Sequence, residues 1–316
     1  MEAILLVGHG SRDAEGNEEL LQFARNVSRR VPDVHVETCF LEFAKPTVQQ
    51  GIDRCVEAGA ARIVLVPIIL FAAGHAKIHI PMEIDRAKQK HPDIAFAYGR
   101  SIGIHEKVLE ILQARLEEAG YSNSGEPSER DRDTAVLLLG RGSSDGDANG
   151  DFFKMTRLLW ERLPVKWVES SFIGVTEPSF PEGLERCRQL GAKNIYVLPY
   201  FLFTGILIKR IEQMTAEFSR MHPELRVELA RYFGFHPQLV ELLLDRVTEA
   251  VEGRAAMNCD MCKYRKEASH GHDHHHHHDH DHHHHDHDHH DHDHHDHDHD
   301  HGHDHPHPAK EREAVT

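Results

Sequence analysis

The feature that most restricts the fold of this chain is an internal repeat. Gly8-His9-Gly10-Ser11-Arg12-Asp13 is echoed 132 residues later by Gly140-Arg141-Gly142-Ser143-Ser144-Asp145. Further matches at this offset are Phe40 with Phe172, Pro46 with Pro178, Gly59 with Gly191 and Pro67 with Pro199. Aligning Gly74 with Gly205 after a one-residue deletion brings His91-Pro92 onto His222-Pro223. The chain is therefore predicted to be a duplication of one folding unit.

Each copy alternates short apolar runs with amphipathic segments. The predicted strands of the first copy are Ala3–Val7, Val34–Phe40, Arg62–Ile68 and Ile94–Ala97. The predicted helices are Glu15–Arg30, Pro46–Ala58, Ala76–Lys90 and Ile104–Ala119. This alternation predicts an α/β protein of two tandem flavodoxin-like domains, each with a four-stranded parallel sheet of order 2-1-3-4 and helices on both faces.

The composition changes sharply after the second copy. Between Ser269 and Pro308 lie 24 of the 32 histidines and 11 aspartates, so the formal charge of −16 falls to about −5 without that stretch. Such a segment cannot bury a core and is expected to be disordered. The predicted organisation is a first repeat at 1–120, a linker at 121–133, a second repeat at 134–253, a Cys-x-x-Cys segment at 254–268 and the tail at 269–316.

Charge and hydropathy argue against two classes of partner. No basic stripe indicates nucleic acid, and no apolar run reaches the roughly 18 residues that a membrane span needs. The N-terminus lacks the features of a signal peptide. Five cysteines, an odd number, argue against a disulfide framework. We therefore expect a cytoplasmic protein.

Two histidines are candidates for a metal site. His9 follows the first predicted strand, and His75 lies in the predicted loop after the third. In a sheet of order 2-1-3-4 these strands are neighbours, so both loops leave the same edge of the sheet. Neutral imidazole is a good ligand for cobalt, nickel, iron and zinc. Glu42 could add a carboxylate, and Lys45 could pair with an acidic substrate.

The alternative is that these histidines are ordinary loop residues, and the second copy weighs against it. Its glycine-framed turn persists, whereas all four candidate positions differ. His9 aligns with Arg141, His75 with Ile206, Glu42 with Gly174 and Lys45 with Glu177. This pattern predicts one working site, in the first repeat.

At these motifs the sequence resembles a known family. The segment Leu-Leu-Val-Gly-His-Gly-Ser-Arg (5–12), the segment Val-Pro-Ile-Ile-Leu-Phe-Ala-Ala-Gly-His (66–75) and the duplicated layout look like the class II chelatases of the sirohydrochlorin cobaltochelatase type. The resemblance covers residues 1 to about 250. It is greatest to the long two-repeat form with a histidine-rich C-terminal tail, preceded by a Met-x-Cys-x-x-Cys motif that Met257–Cys262 matches.

The resemblance implies a chelatase-like fold and insertion of Co²⁺ into sirohydrochlorin for cobalamin biosynthesis. It implies that His9 and His75 bind the metal and that His9 also accepts pyrrole protons. It further implies that Lys45 and the loop of Leu70, Phe71, Ala72, Ala73 and Gly74 contact the macrocycle. Basic residues at the rim could pair with the substrate carboxylates, the candidates being Arg12, Lys45, Lys77, Arg141 and Lys209. Two alternatives stay open, a sirohydrochlorin ferrochelatase for sirohaem and a non-catalytic metal-storage chaperone.

The tail and the cysteine pair carry separate hypotheses. The histidines and aspartates of 270–307 are expected to hold divalent metal at many weak sites and to raise its concentration near the active site. The spacing of Cys259 and Cys262 suits zinc, an iron–sulfur cluster or a redox dithiol. The resemblance favours an iron–sulfur centre, expected as [4Fe-4S]. Its remaining ligands would come from elsewhere in the chain or from another chain of a homo-oligomer.

Overall fold

Two four-stranded sheets form the frame of the protein. A computed structural model describes residues 1–122, 127–174 and 176–254, apart from the side chain of His75. The segments predicted to hold the cysteine pair and the histidine-rich tail therefore lie outside the described residues, except for Arg254. Within the described part, no helix is both long and apolar enough to cross a membrane.

The first sheet is parallel throughout. Its strands are β1 (Glu2–Gly8), β2 (His35–Phe40), β3 (Arg62–Ile68) and β4 (Ala95–Tyr98). Their order is β2-β1-β3-β4, as predicted. The central strands β1 and β3 are apolar on both faces because helices cover the sheet on both sides, and all but their first residues are buried.

The second sheet repeats this arrangement. Its strands are β5 (Thr134–Gly140), β6 (Trp167–Phe172), β7 (Asn194–Pro199) and β8 (Arg226–Leu229). Their order, β6-β5-β7-β8, corresponds strand by strand to that of the first sheet, and every pairing is parallel. The predicted fold class and the duplication are confirmed.

Helices connect the strands in both repeats. In the first repeat they are α1 (Ala14–Ser28), α2 (Val48–Glu57), a π turn (His75–His79), α3 (Ile80–Lys90) and α4 (Glu106–Glu118). After α5 (Glu129–Arg132), the second repeat has α6 (Gly146–Trp160), α7 (Phe180–Gln189), α8 (Ile206–Met221) and α9 (Pro237–Val251). Each outer sheet face has its own core, with α2 and α3 on the first sheet and α7 and α8 on the second.

The inner faces of both sheets share a single apolar core. It contains alternate residues of β1 and β5, such as Leu6 and Leu138, together with residues of α1, α4, α6 and α9. The described residues fall within one compact unit. The shared core makes the two repeats dependent on each other for burial of their inner faces.

The last helix of each repeat packs against the sheet of the other. Helix α9 lies on β3 and β4, and α4 lies against β7. Two equivalent buried arginines mark this exchange. Arg246 of α9 donates to the Ile102 carbonyl at 2.6 Å, and Arg115 of α4 donates to the Phe233 carbonyl at 2.6 Å. Each arginine therefore satisfies a backbone carbonyl of the opposite repeat.

The π turn is a feature that the sequence pattern did not predict. His75 was expected in a loop with a regular helix from Ala76, but it is the first residue of the π turn. Single π turns of this kind are rare and occur often at functional sites.

The π turn also contains the extra residue of the first repeat. Lys77 N donates to Ala73 O at 2.9 Å, and Lys209 N donates to Gly205 O at 3.2 Å, so these lysines are equivalent at the offset of 132. The extra residue of the first repeat therefore comes after Lys77. A π turn contains one residue more than an α turn, so the π turn accommodates this residue. The alignment of His75 with Ile206 was wrong, and its equivalent is Leu207.

Part of the predicted linker is docked on the fold. Tyr121 is buried, and its hydroxyl donates to the Asp131 carboxylate at 3.0 Å. Asp131 lies in α5 and also accepts from Ser128 N at 2.7 Å. Burial opposes ionisation of Asp131, but the bonds from Ser128 and Tyr121 prevail and lower its pKa. The polar, turn-rich linker segment therefore contains a carboxylate, that of Asp131, which hydrogen bonds hold in place.

Candidate metal centre

The loops that carry the two candidate histidines leave the same edge of the first sheet. Gly8, the last residue of β1, pairs with Ile68, the last residue of β3. His9 is the next residue after β1, and His75 opens the π turn seven residues after β3. The parallel register thus brings both chain segments out side by side, although the position of the His75 side chain is not described.

The His9 ring has a defined hydrogen-bond partner. Its Nδ1 lies 3.1 Å from the Gly10 carbonyl oxygen. A carbonyl can only accept, so this contact assigns the proton of the neutral imidazole to Nδ1 and the lone pair to Nε2. A neutral histidine in this tautomer can ligate a metal or accept a proton through Nε2.

The backbone next to His9 is held against the loop that carries Glu42. Glu42 N donates to His9 O at 3.0 Å. A Cβ on Gly10, whose φ is +88°, would lie 1.9 Å from Glu42 O. The close approach of the two backbones therefore requires glycine at position 10. It holds the backbone of Glu42 next to that of His9. Glu42 is half-buried and Lys45 is exposed.

The loop after β3 packs toward the second repeat. The Phe71 ring stacks on Tyr200, which follows β7, with centroids 5.3 Å apart and an interplanar angle of 2°. Leu70 and Phe71 pack against the shared core, whereas Gly74 is exposed. Ala72 and Ala73 are half-buried between them. The predicted macrocycle-contacting segment thus runs from the interface between the repeats to the surface.

Two of the five predicted rim cations are engaged in ion pairs. Lys77 Nζ lies 2.7 Å from Asp145 and 3.1 Å from Asp147. Lys209 Nζ lies 2.9 Å from Asp13 and 2.7 Å from Glu15. Each lysine thereby joins its repeat to the start of the first helix of the other repeat. In this structure their ammonium groups pair with protein carboxylates, while Arg12 and Arg141 are exposed.

These ion pairs shift the pKa values of their members. Burial of Lys77 acts against its charge, but the hydrogen bonds to the two aspartates prevail and raise its pKa. Burial likewise opposes ionisation of Asp145, and the bond from Lys77 lowers its pKa overall. The hydrogen bond from Lys209 lowers the pKa of Asp13. All of these groups are therefore charged at neutral pH.

The described side chains do not assemble a metal site of three or more ligands. No cluster of at least three histidine, cysteine, aspartate or glutamate side chains occurs among them. A site made by His9 and His75, with or without Glu42, depends on a side chain outside that set.

Comparison with known proteins identifies the family. The CbiX family profile matches residues 3–119 and again residues 135–250, one match for each repeat. The chain belongs to the CbiX family.

Relatives within the CbiX family span most of this chain. It is 54% identical to a sirohydrochlorin cobaltochelatase of Priestia megaterium over 84% of this chain and 85% of the relative. It is 36% identical to a sirohydrochlorin ferrochelatase of Bacillus subtilis (strain 168) over 78% of this chain and 91% of the relative. Among solved structures, the sirohydrochlorin chelatase SirB of Bacillus subtilis subspecies spizizenii in complex with cobalt is 34% identical, with a TM-score of 0.67. The match covers 80% of this chain and 96% of that one.

Asn17 has a structural role in this CbiX protein that the sequence analysis did not predict. Asn17 Oδ1 accepts from Ser11 N at 2.8 Å, and its Nδ2 donates to Ser11 O at 2.8 Å. Asn149 makes the same two bonds with Ser143. The sequence contains a signal for this role, because the two asparagines match at the offset of 132. These bonds explain the persistent turn as a structural element, distinct from the positions that differ.

One of the four differences between the repeats has a steric cause. A Cβ on Gly174, the equivalent of Glu42, would lie 2.3 Å from Arg141 O. The second repeat therefore cannot hold a glutamate there without moving its backbone. The differences at His9 and His75 are consequently the main evidence for a single working site in the first repeat.

Proposed function

We propose that this protein inserts Co²⁺ into sirohydrochlorin in cobalamin biosynthesis. The observation that carries the proposal is the 54% identity to a sirohydrochlorin cobaltochelatase over most of both chains. The 36% identity to a ferrochelatase gives the Fe²⁺ reaction less support. Related SirB structures contain cobalt in one case and Fe³⁺ in another, so the choice of cobalt depends on the sequence identities.

In this proposal, residues 1–120 supply the metal ligands and residues 134–253 form a wall of the substrate cleft. His9 and His75 hold the incoming ion, Glu42 can add a carboxylate, and Lys45 with the loop Leu70–Gly74 contacts the macrocycle. Two protein imidazoles leave metal positions open for the pyrrole nitrogens. The adjacent exits of β1 and β3 support this assignment.

The reaction exchanges one metal ion for two protons. Insertion of M²⁺ forms bonds to the pyrrole nitrogens and releases two N–H protons, so a base near the metal lowers the barrier. Once the ion has left its lone pair, His9 Nε2 accepts one of the two protons and passes it to solvent, and the second proton leaves to solvent water. The Gly10 carbonyl supports this role because it holds the proton of the neutral ring on Nδ1.

The test compares Co²⁺, Fe²⁺ and Ni²⁺ insertion, followed by sirohydrochlorin absorbance. We expect His9→Ala and His75→Ala to abolish insertion. His91→Ala is the matched histidine control, because His91 contacts Asp53 at 3.0 Å on α2, away from the β1 and β3 exits. Activity of His9→Ala equal to the unmodified protein would contradict the site, and faster insertion of Fe²⁺ would contradict the metal.

The cysteine pair carries a separate part of the proposal, a [4Fe-4S] cluster at Cys259 and Cys262. Cys39, Cys55 and Cys187 are buried free thiols. Burial raises the pKa of Cys55 and Cys187 to about 12, which favours the thiol over the thiolate that binds metal. Two chains of a homo-oligomer would then complete the four ligands. Iron and sulfide analysis of anaerobically purified protein tests this, and their absence refutes it.

The free thiols also support a reducing compartment, so we assign the reaction to the cytoplasm. Localisation of the protein fused to a fluorescent reporter tests this assignment.

A further inference from the structure

Phe43 combines an exposed ring with an unfavourable backbone conformation. Its φ is +60°, and among the described residues no other non-glycine residue has a positive φ. Ala44 N donates to Glu42 O at 2.7 Å, which closes a three-residue turn around Phe43. Such γ-turns with positive φ are rare and strained. The side chain nevertheless remains 55% exposed, so burial of the ring does not compensate for the strain.

The surroundings of Phe43 are those of the candidate metal centre. Its ring centroid lies 6.5 Å from that of His9. The guanidinium carbon of Arg12 lies 5.0 Å from the Phe43 centroid, in a cation–π contact. Arg12 is itself exposed. An aromatic surface and a fixed positive charge therefore lie together beside the histidine that we propose as metal ligand.

The second repeat lacks both groups. At the offset of 132, Val175 replaces Phe43 and Ser144 replaces Arg12. The glycine-framed turn that contains Arg12 in the first repeat and Ser144 in the second is retained, with equivalent hydrogen bonds at Ser11 and Ser143. The guanidinium of Arg12 is thus not needed to form this turn.

A strained backbone that exposes an aromatic ring persists only where another requirement maintains it. We propose that Phe43 and Arg12 form the macrocycle-binding face of the site. The Phe43 ring packs on the flat tetrapyrrole, and Arg12 pairs with one of its peripheral carboxylates. This inference rests on the proposed function and adds to it the residues that select a flat, anionic substrate. A ring contact supplies the offset-stacking attraction of aromatic pairs, and guanidinium is suited to bidentate carboxylate binding.

The direct test is a titration of metal-free sirohydrochlorin into the full-length protein, followed by sirohydrochlorin fluorescence. Phe43→Gly removes the ring and tolerates positive φ, so we expect the Kd to rise about tenfold while the thermal midpoint does not fall. Phe43→Trp should retain affinity. Arg12→Gln should raise the Kd by a similar factor and reduce its dependence on salt.

Leu190→Ala provides the control. Leu190 is 43% exposed and caps the end of α7, which precedes β7 and therefore lies at the opposite edge of the second sheet. We expect its Kd to be unchanged. In the insertion assay, Phe43→Gly should raise the KM for sirohydrochlorin and leave the KM for Co²⁺ unaltered.

The outcomes separate this inference from the function on which it rests. If the unmodified protein binds and metallates sirohydrochlorin but Phe43→Gly and Arg12→Gln bind it equally well, the macrocycle face is refuted and the function stands. If Phe43→Gly loses thermal stability together with affinity, Phe43 is structural and the inference is overturned. Failure of the unmodified protein to bind sirohydrochlorin refutes both.

Discussion

Lys77 Nζ lies 2.7 Å from Asp145 Oδ2 and ties the π turn of the first repeat to the first helix of the second. The lysine is two residues after His75, and Asp145 is the N-cap of α6. Lys209 and Asp13 form the equivalent pair at 2.9 Å. The duplication thus supplies two cross-repeat ion pairs, of which one lies beside a candidate metal ligand.

Replacement of Lys77 by methionine is expected to lower both stability and metal insertion. Its side chain and that of Asp145 are 17% and 16% exposed, so loss of the lysine leaves a largely buried carboxylate unpaired. We expect a cost of about 1–3 kcal/mol in the free energy of unfolding. The KM for Co²⁺ should rise because the segment carrying His75 loses its anchor. Thermal denaturation and the insertion assay measure the two effects.

Lys193→Met is the control, because it breaks an ion pair with Asp133 at 2.6 Å, whose two residues precede β7 and β5 and so lie at the opposite strand ends, in the repeat without the histidines. It should leave the KM for Co²⁺ unchanged. An equal rise in KM for both variants would show that the ion pairs act through general stability alone.

Replacement of Arg246 by methionine should destabilise both repeats together. The Arg246 side chain is 4% exposed and pairs with Glu249 at 2.9 Å besides binding the Ile102 carbonyl. Its removal leaves the buried Ile102 carbonyl without its donor, whereas Glu249 keeps its ion pair with Arg100 at 2.7 Å, so we expect a cost of about 1–3 kcal/mol. Urea denaturation should show one transition for residues of both repeats, since α9 belongs to one repeat and packs on the other. Arg226→Met, at an exposed pair with Glu228, should change the midpoint little. Two separate transitions would contradict the shared core.

Stability is expected to fall as the pH drops below neutrality because of two half-buried N-cap histidines, His105 and His236. Nδ1 of His105 accepts from Lys107 N and Nδ1 of His236 accepts from Gln238 N, each at 3.2 Å, which requires neutral rings. Burial lowers the pKa of both, helped by Arg246 at His105 and by Arg115 at His236. The unfolded chain therefore binds more protons between the lowered pKa and the ordinary value of about 6.5. Their stabilisation is complete above that value and is lost as the pH falls toward the folded pKa.

The double variant His105→Asn/His236→Asn tests this dependence. Asparagine keeps a side-chain acceptor at each N-cap and does not titrate. The free energy of unfolding, measured by urea between pH 5 and pH 7.5, should vary less with pH than in the unmodified protein. The tail histidines are present in both proteins and do not affect the comparison. Equal slopes would contradict the assignment.

Truncation after Ser269 should separate metal supply from chemistry. The removed segment holds 24 of the 32 histidines, whereas His9 and His75 are retained. At saturating Co²⁺ we expect the insertion rate to be unchanged. At limiting Co²⁺ in the presence of a competing chelator, the truncated protein should be slower because a reservoir of weak sites has been lost. A large loss of rate at saturating Co²⁺ would instead indicate a part for the tail in the reaction.

The sequence determined the fold class, the strand order and the repeat. Short, β-branched apolar runs such as Arg62–Ile68 indicate strands buried on both faces, and their alternation with helices implies parallel sheets. The same pattern located His9 after β1, because the position of a residue just past a strand follows from local sequence. The repeat also contained the equivalence of Asn17 and Asn149.

The tertiary structure alone decided the contacts between the repeats. No local pattern reveals that α4 lies on the sheet of the second repeat and α9 on the sheet of the first, or that Lys77 pairs with Asp145. These contacts join residues 68 or more positions apart. The π turn at His75 and the positive φ of Phe43 are likewise conformations that local propensities disfavour. They depend on packing energy from the rest of the fold, which periodicity and spacing do not measure.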